Sequence, residues 1–188
     1  MLAAAITHSH VNAVSLILRT YSRRKVQFTN STIEALLIRP DLDILQLLYD
    51  YDPFVVSFEF RTHIDTFVTK ACEQPPEQIT PLLLWLIEHG ADLEGLRCSR
   101  TLCSAILGGQ RLGVVEAMVN RGVSVSTLAM RQAVVCERID VIEFFVGMGV
   151  KVDAEEVDYL RSEAERTGNE EVVEAVKKLR SEKGCVVS

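Results

Sequence analysis

The chain has little that would let it cross a membrane, grip nucleic acid or hold a metal. No apolar run approaches the roughly 20 residues a bilayer span needs; the longest, Ile79 to Ile87, contains Pro81. Basic side chains are outnumbered, 20 Lys and Arg against 26 Asp and Glu, and the net charge of −6 argues against a sequence-independent hold on phosphates. The four histidines (His8, His10, His63, His89) stand far apart, without a nucleophile spaced to suggest a triad. The five cysteines are odd in number and scattered, which suits free thiols in a reducing compartment. Cys98 and Cys103 are wrongly spaced for a zinc hook, so no metal is expected. Gly108-Gly109-Gln110-Arg111 lacks the GK[ST] ending of a phosphate loop and follows a helical stretch, so no nucleotide cofactor is expected either. The opening MLAAAI lacks the basic n-region of a signal peptide and turns polar at Thr7, which favours an intracellular protein. Aromatics make up only 6% of the chain, which is ordinary for a soluble helical protein.

What is present is repetition. Leu128 to Val152 reads as two short antiparallel helices, about Leu128–Cys136 and Asp140–Met148, joined at Glu137-Arg138 and stopped at Gly149. Such a pair cannot bury its apolar faces alone and needs a similar pair on each side. A small residue in helix one, a polar turn about five residues on and a following apolar run recur along the chain. The small-residue position falls at Ala5, Leu36, Ala71, Ala105, Ala133 and Ala164, in steps of 31, 35, 34, 28 and 31 residues. The expected fold is all-α: a solenoid of about six stacked helix-turn-helix repeats over residues 1–179, near 2–30, 31–62, 63–97, 98–125, 126–153 and 154–179. The last is rich in Glu and reads as a cap that meets water.

This pattern resembles the ankyrin repeat, whose unit is about 33 residues. Leu84-Trp85-Leu86-Ile87-Glu88-His89-Gly90-Ala91-Asp92 is similar to that family's LLLxxGAD ending. Thr101-Leu102 with Ala105-Ile106 is similar to its TPLHxAA opening, and His10 with Val14 and Leu16-Ile17-Leu18 to its GHxxVVxxLL middle. No copy keeps the full TPLH, and no Gly follows repeats one and two. The resemblance implies a protein-binding module that uses its loops and the inner faces of its first helices.

Read in order, the chain offers several contact candidates. Arg23-Arg24-Lys25 forms a short basic loop, which is either a patch for an acidic partner or a solvated turn. Asn30-Ser31-Thr32 matches a glycosylation acceptor, but Ser31 or Thr32 reads better as a helix N-cap. Pro40 suits the first turn of the helix after it. Tyr49 and Tyr51 lie in an aromatic and acidic stretch suited to partner contact or to packing between loops. Gln74 to Gln78 reads as a loop insertion, Trp85 as core, and His89 as a helix C-terminal ring facing the dipole. Asp92, Glu94 and Arg97 complete the candidate partner-binding set.

Residues 180–188 read as a flexible tail. Cys185-Val186-Val187-Ser188 matches a CaaX prenylation box, and terminal Ser points to farnesyl. The similarity to prenylated proteins implies a prenyltransferase as partner, trimming of the last three residues and methylation of Cys185. One lipid anchors only marginally, so Lys177, Lys178, Arg180 and Lys183 are the candidate basic contacts with an anionic membrane surface. The expected function is a scaffold or adaptor held reversibly on a cytoplasmic membrane face. Two alternatives stand beside it: an enzyme with a small-molecule pocket on the concave face, grouping His63, Cys72, Cys103 or Arg131, and a soluble ankyrin-type inhibitor without lipid.

Overall fold

A computed structural model describes residues 1–21, 26–60, 65–93, 100–179 and the backbone of 181–182. Those residues are mostly helical, as the all-α reading expects: twelve α-helices and a single two-residue strand pair. Contacts divide the chain into two compact units, Met1–Arg97 and Cys98–Ser188. No helix among the described residues is long and apolar enough to cross a membrane.

The first unit holds α1 (Leu2–Thr7), α2 (Val11–Thr20), α3 (Asn30–Ile38), α4 (Leu42–Tyr51), α5 (Phe67–Cys72) and α6 (Pro76–Glu88). Helix α1 packs on α3, α3 on α5, and α2 on α4. Ile6, Ile33, Leu36, Ile44, Leu45, Leu48 and Phe67 are fully buried between them. At Met1–Thr20 the helices fall where the apolar spacing puts them, but Leu16 turns outward and is 66% exposed.

Three local readings need correction. Helix α3 is capped by Thr29, two residues before Ser31 and three before Thr32, the caps expected; Thr32 serves instead as the reciprocal half of a capping box. Helix α4 starts at Leu42 with Asp41 as its cap, because the Asp41 carboxylate accepts from the amides of Asp43 and Ile44 at 3.1 and 3.2 Å. Pro40 therefore precedes the helix rather than opening it. The stretch 74–78 is only partly a loop, since Pro76, Glu77 and Gln78 form the first turn of α6. Proline serves there because the first amides of a helix have no partner to lose. A 3-10 turn at Pro53–Ser57 and an antiparallel contact of Glu59 with Thr66 fill the connection to α5.

The second unit holds α7 (Arg100–Leu107), α8 (Leu112–Asn120), α9 (Thr127–Val135), α10 (Ile139–Gly147), β1 (Val152–Asp153), α11 (Ala154–Thr167), α12 (Glu170–Lys177) and β2 (Ser181–Glu182). Its first helices lie against first helices, α7 on α9 and α9 on α11. Its second helices do the same, α8 on α10 and α10 on α12. Leu102, Ile106, Val114, Met118, Met130, Val141, Phe145 and Leu160 are fully buried. The strand pair is parallel, with Val152 beside Ser181 and Asp153 beside Glu182. Residues 181–182, within the stretch read as a tail, thus pair with β1. Leu179, just before them, is buried.

One turn geometry recurs at the ends of the first helices. The amides of His10, Gln110 and Arg138 donate to the carbonyls of Ala5, Ala105 and Ala133, each at 2.9 Å. In each case the preceding residue has positive φ: Ser9, Gly109 and Glu137. This is the six-to-one closure of a helix C-terminus. The second helices end the same way, with Ala91 donating to Leu86, Val123 to Met118 and Val150 to Phe145 at 3.0 to 3.2 Å.

Candidate protein-binding surfaces

Of the residues expected to meet a partner, Tyr49, Tyr51 and Asp92 lie among those described; Arg23, Arg24, Lys25, Glu94 and Arg97 lie outside them. Tyr49, on α4, is half-buried and stands edge-on to two rings of α6: Trp85 at 5.3 Å and His89 at 5.1 Å. Trp85 and His89 stack nearly parallel with centroids 3.7 Å apart. Trp85 is thus half-buried in an aromatic cluster rather than sealed in the core. The expected role of His89 holds: it caps α6, and its Nδ1 lies 2.8 Å from the Trp85 carbonyl. A carbonyl oxygen can only accept, so Nδ1 carries a proton and donates it. Tyr51 stands edge-on to Phe28 at 6.3 Å and donates from its hydroxyl to the Tyr21 carbonyl at 3.4 Å. Both tyrosines are therefore engaged in packing between neighbouring elements. Asp92 is exposed.

In the second unit the outward faces of α7, α9 and α11 carry apolar side chains that the sequence reading did not single out. Leu107 is 58% exposed, Leu128 50%, Val135 54% and Tyr159 43%. These are four of the five large apolar side chains exposed among the described residues of that unit, Met148 being the fifth. The repeat step brings them into rows. Leu107 and Val135 occupy the same place at the ends of α7 and α9; Leu128 and Tyr159 occupy the same place on α9 and α11. Between the rows Arg131 donates from Nε and Nη2 to the two oxygens of Glu156. Its guanidinium lies 4.4 Å from the centre of the Tyr159 ring. The Glu156 carboxylate pushes Arg131 above its ordinary value, so it is a fixed cation. The signal that could have found this face is α9 itself. Leu128, Arg131 and Val135 recur at helical spacing opposite the buried Ala129, Met130, Ala133 and Val134. A helix apolar on both sides shows little contrast, so its second apolar stripe is easily taken for core.

Of the residues considered for catalysis, Cys72 belongs to the first unit and Cys103 and Arg131 to the second. Cys72 and Cys103 are buried, one in each unit, and burial pushes both thiols up, away from thiolate. Cys136 is half-buried and likewise raised by burial. His63 lies outside the described residues, and Arg131 is spent on Glu156. A groove of about 450 Å³ between α10 and α12 is walled by Glu143, Glu170, Glu171, Glu174 and Lys178. Among the described residues no three His, Cys, Asp or Glu side chains are grouped to hold a metal ion.

The proposed lipid site, Cys185, lies outside the described residues, as do Arg180 and Lys183. Lys177 and Lys178 are described and exposed. Lys177 is paired with Glu174 at 2.5 Å and Lys178 with Glu143 at 2.9 Å. The carboxylates offset much of the positive field these lysines would offer a membrane. Comparison with known proteins returns no matching family model, no similar curated protein and no similar solved structure.

Proposed function

We propose that this protein is an ankyrin-type solenoid that works as a scaffold or adaptor and binds other proteins without chemistry of its own. The observation that carries the reading is the repeated turn. Three first helices close on the same small residue, Ala5, Ala105 and Ala133, with the same bond. In the second unit, first helices meet first helices and second helices meet second helices. Repeats stacked in this way expose long arrays of helix faces and loops, which is how such proteins present a binding surface. The outward apolar rows of α7, α9 and α11 fit that use, because grouped apolar exposure marks association. Proximity labelling from the intact protein, repeated with Leu107→Ser/Val135→Ser, tests it. Enrichment of the same proteins by both forms, or of none by either, refutes the use of this face.

The second half of the proposal is a tether. Cys185-Val186-Val187-Ser188 fits the residue pattern of a farnesyl acceptor. A protein so modified sits reversibly on a cytoplasmic membrane face, since one chain binds only marginally. Lys177 and Lys178 contribute little, being paired. Expression in a prenylating cell, followed by mass measurement of the wild type and of Cys185→Ser, decides the point. An unshifted wild-type mass removes the lipid and leaves a soluble binding module.

A further inference from the structure

We infer that His8 and His10 form a chelating pair for a divalent late transition ion, zinc, nickel or copper, with water on its remaining positions. The inference goes beyond the scaffold reading and does not depend on it. These two histidines are the exception to the scatter of the four, since only Ser9 separates them. Both side chains are exposed, and their ring centroids stand 5.8 Å apart. Neither ring makes a hydrogen bond or ion pair with a described residue, so an ion displaces no protein partner there. The backbone holds the pair in place. His8 is the C-cap of α1 and His10 the N-cap of α2, and Ser9 between them has φ 50°. The amides of His8, Ser9 and His10 donate to the carbonyls of Ala4, Ile6 and Ala5 at 3.3, 2.8 and 2.9 Å, and the His10 carbonyl accepts from Val14 at 3.0 Å. Side-chain torsions are what remains to be fixed on binding, so little freedom is lost.

Distance and charge both fit an ion. A metal about 2.0–2.1 Å from one nitrogen of each ring lies about 3.2 Å from each ring centre, so two rings meeting it at a right angle or a tetrahedral angle stand roughly 4.5–5.2 Å apart. The 5.8 Å seen here exceeds that by roughly an ångström, which rotation of two exposed side chains removes. Residues 1–18 contain no Lys, Arg, Asp or Glu. Arg19, in the last turn of α2, lies about 13 Å along the helix from His10. The carbonyl end of α1 and the amide end of α2 meet at the pair, so their end charges oppose one another. Imidazole nitrogen suits zinc, nickel and copper, whereas magnesium and calcium take oxygen ligands. Two protein ligands are fewer than the three of a catalytic zinc site or the four of a structural one, so the ion is held reversibly and contributes little to folding.

Diethyl pyrocarbonate footprinting of the whole protein tests this ring by ring, because peptide fragmentation locates the adduct on each histidine. Saturating zinc chloride should slow modification of His8 and His10 together, by at least about tenfold, and leave His89 unchanged. Magnesium chloride should protect neither ring of the pair. A chelate makes each ring depend on the other. In His10→Ala zinc should therefore no longer protect His8, and in His8→Ala it should no longer protect His10. Ser9→Gly should keep the protection of both, because glycine takes the same positive φ readily. Both rings are exposed, and unchanged circular dichroism shows that the variants fold. Three results overturn the inference: protection of one ring alone, protection of His8 that survives His10→Ala, and no protection at about 1 mM zinc.

Discussion

Two glycines at one helix end should respond to the same substitution with opposite signs. Gly147 is the last residue of α10, in helical conformation, and Gly149 lies two residues on at φ 72°. A methyl group added at either position meets no atom within 4 Å, so packing cannot decide the outcome. Backbone preference decides it. At Gly149 an alanine must hold a left-handed conformation at about 1–2 kcal/mol. Its stiffer unfolded chain returns about 0.4–1 kcal/mol of that. The net expectation is a loss of roughly 0.5–1 kcal/mol. At Gly147 alanine stays helical and should gain about 0.5–1 kcal/mol. A chain of this length moves its Tm by about 2–4 °C per kcal/mol, so the two variants should differ by roughly 2–8 °C on either side of the wild type. Thermal unfolding followed by circular dichroism reads both. Shifts of the same sign would refute the argument that Gly149 is kept for its turn.

Other tests probe the core, the charges and the thiols. Phe145 is fully buried in α10, and Phe145→Ala should cost about 3–5 kcal/mol in urea unfolding; a loss under 1 kcal/mol would mean the site collapses or was never packed. Arg138 donates to both oxygens of Asp140, at 2.9 and 2.8 Å, and holds that carboxyl below its usual range. A lowered folded-state pKa stabilises above the unfolded value of about 3.9, and the gain is lost as pH falls through the lowered value. Asp140 is well exposed, so Asp140→Asn should cost no more than about 1 kcal/mol at pH 7, and the variant and wild-type urea curves should converge at pH 3 or below. A gap of equal size at both ends would contradict the pairing. Native alkylation followed by peptide mapping should label Cys136 well before the fully buried Cys72, with Cys103 also protected. Equal labelling of Cys72 and Cys136 would contradict the burial described.

How much of this could be read from the residues depends on the scale of the feature. Helix pairs were legible because alanine at one position and a polar turn five residues later mark where a helix must close. Boundaries near capping side chains were less legible, since Thr29, Asp41 and Pro76 each offer a start that competes with a neighbour one to three residues away. The 3-10 turn at Pro53–Ser57 and the pairing of Val152–Asp153 with Ser181–Glu182 carry no periodic signal at all. The surface was the least legible part. Residue type left Tyr49 and Tyr51 open to partner contact or to packing, and both are taken up by neighbouring rings and a carbonyl. The face of α9 was hidden because Leu128 and Val135 look like core until a neighbour fails to cover them.

The Trp85–His89 stack also divides the spectroscopy of the molecule. The chain has one tryptophan, and it lies in the first of the two compact units. Indole emission therefore follows the melting of residues 1–97 alone, while helical ellipticity sums both halves. Curves that coincide would mean the halves unfold as one cooperative body, and curves that separate would give each half its own midpoint.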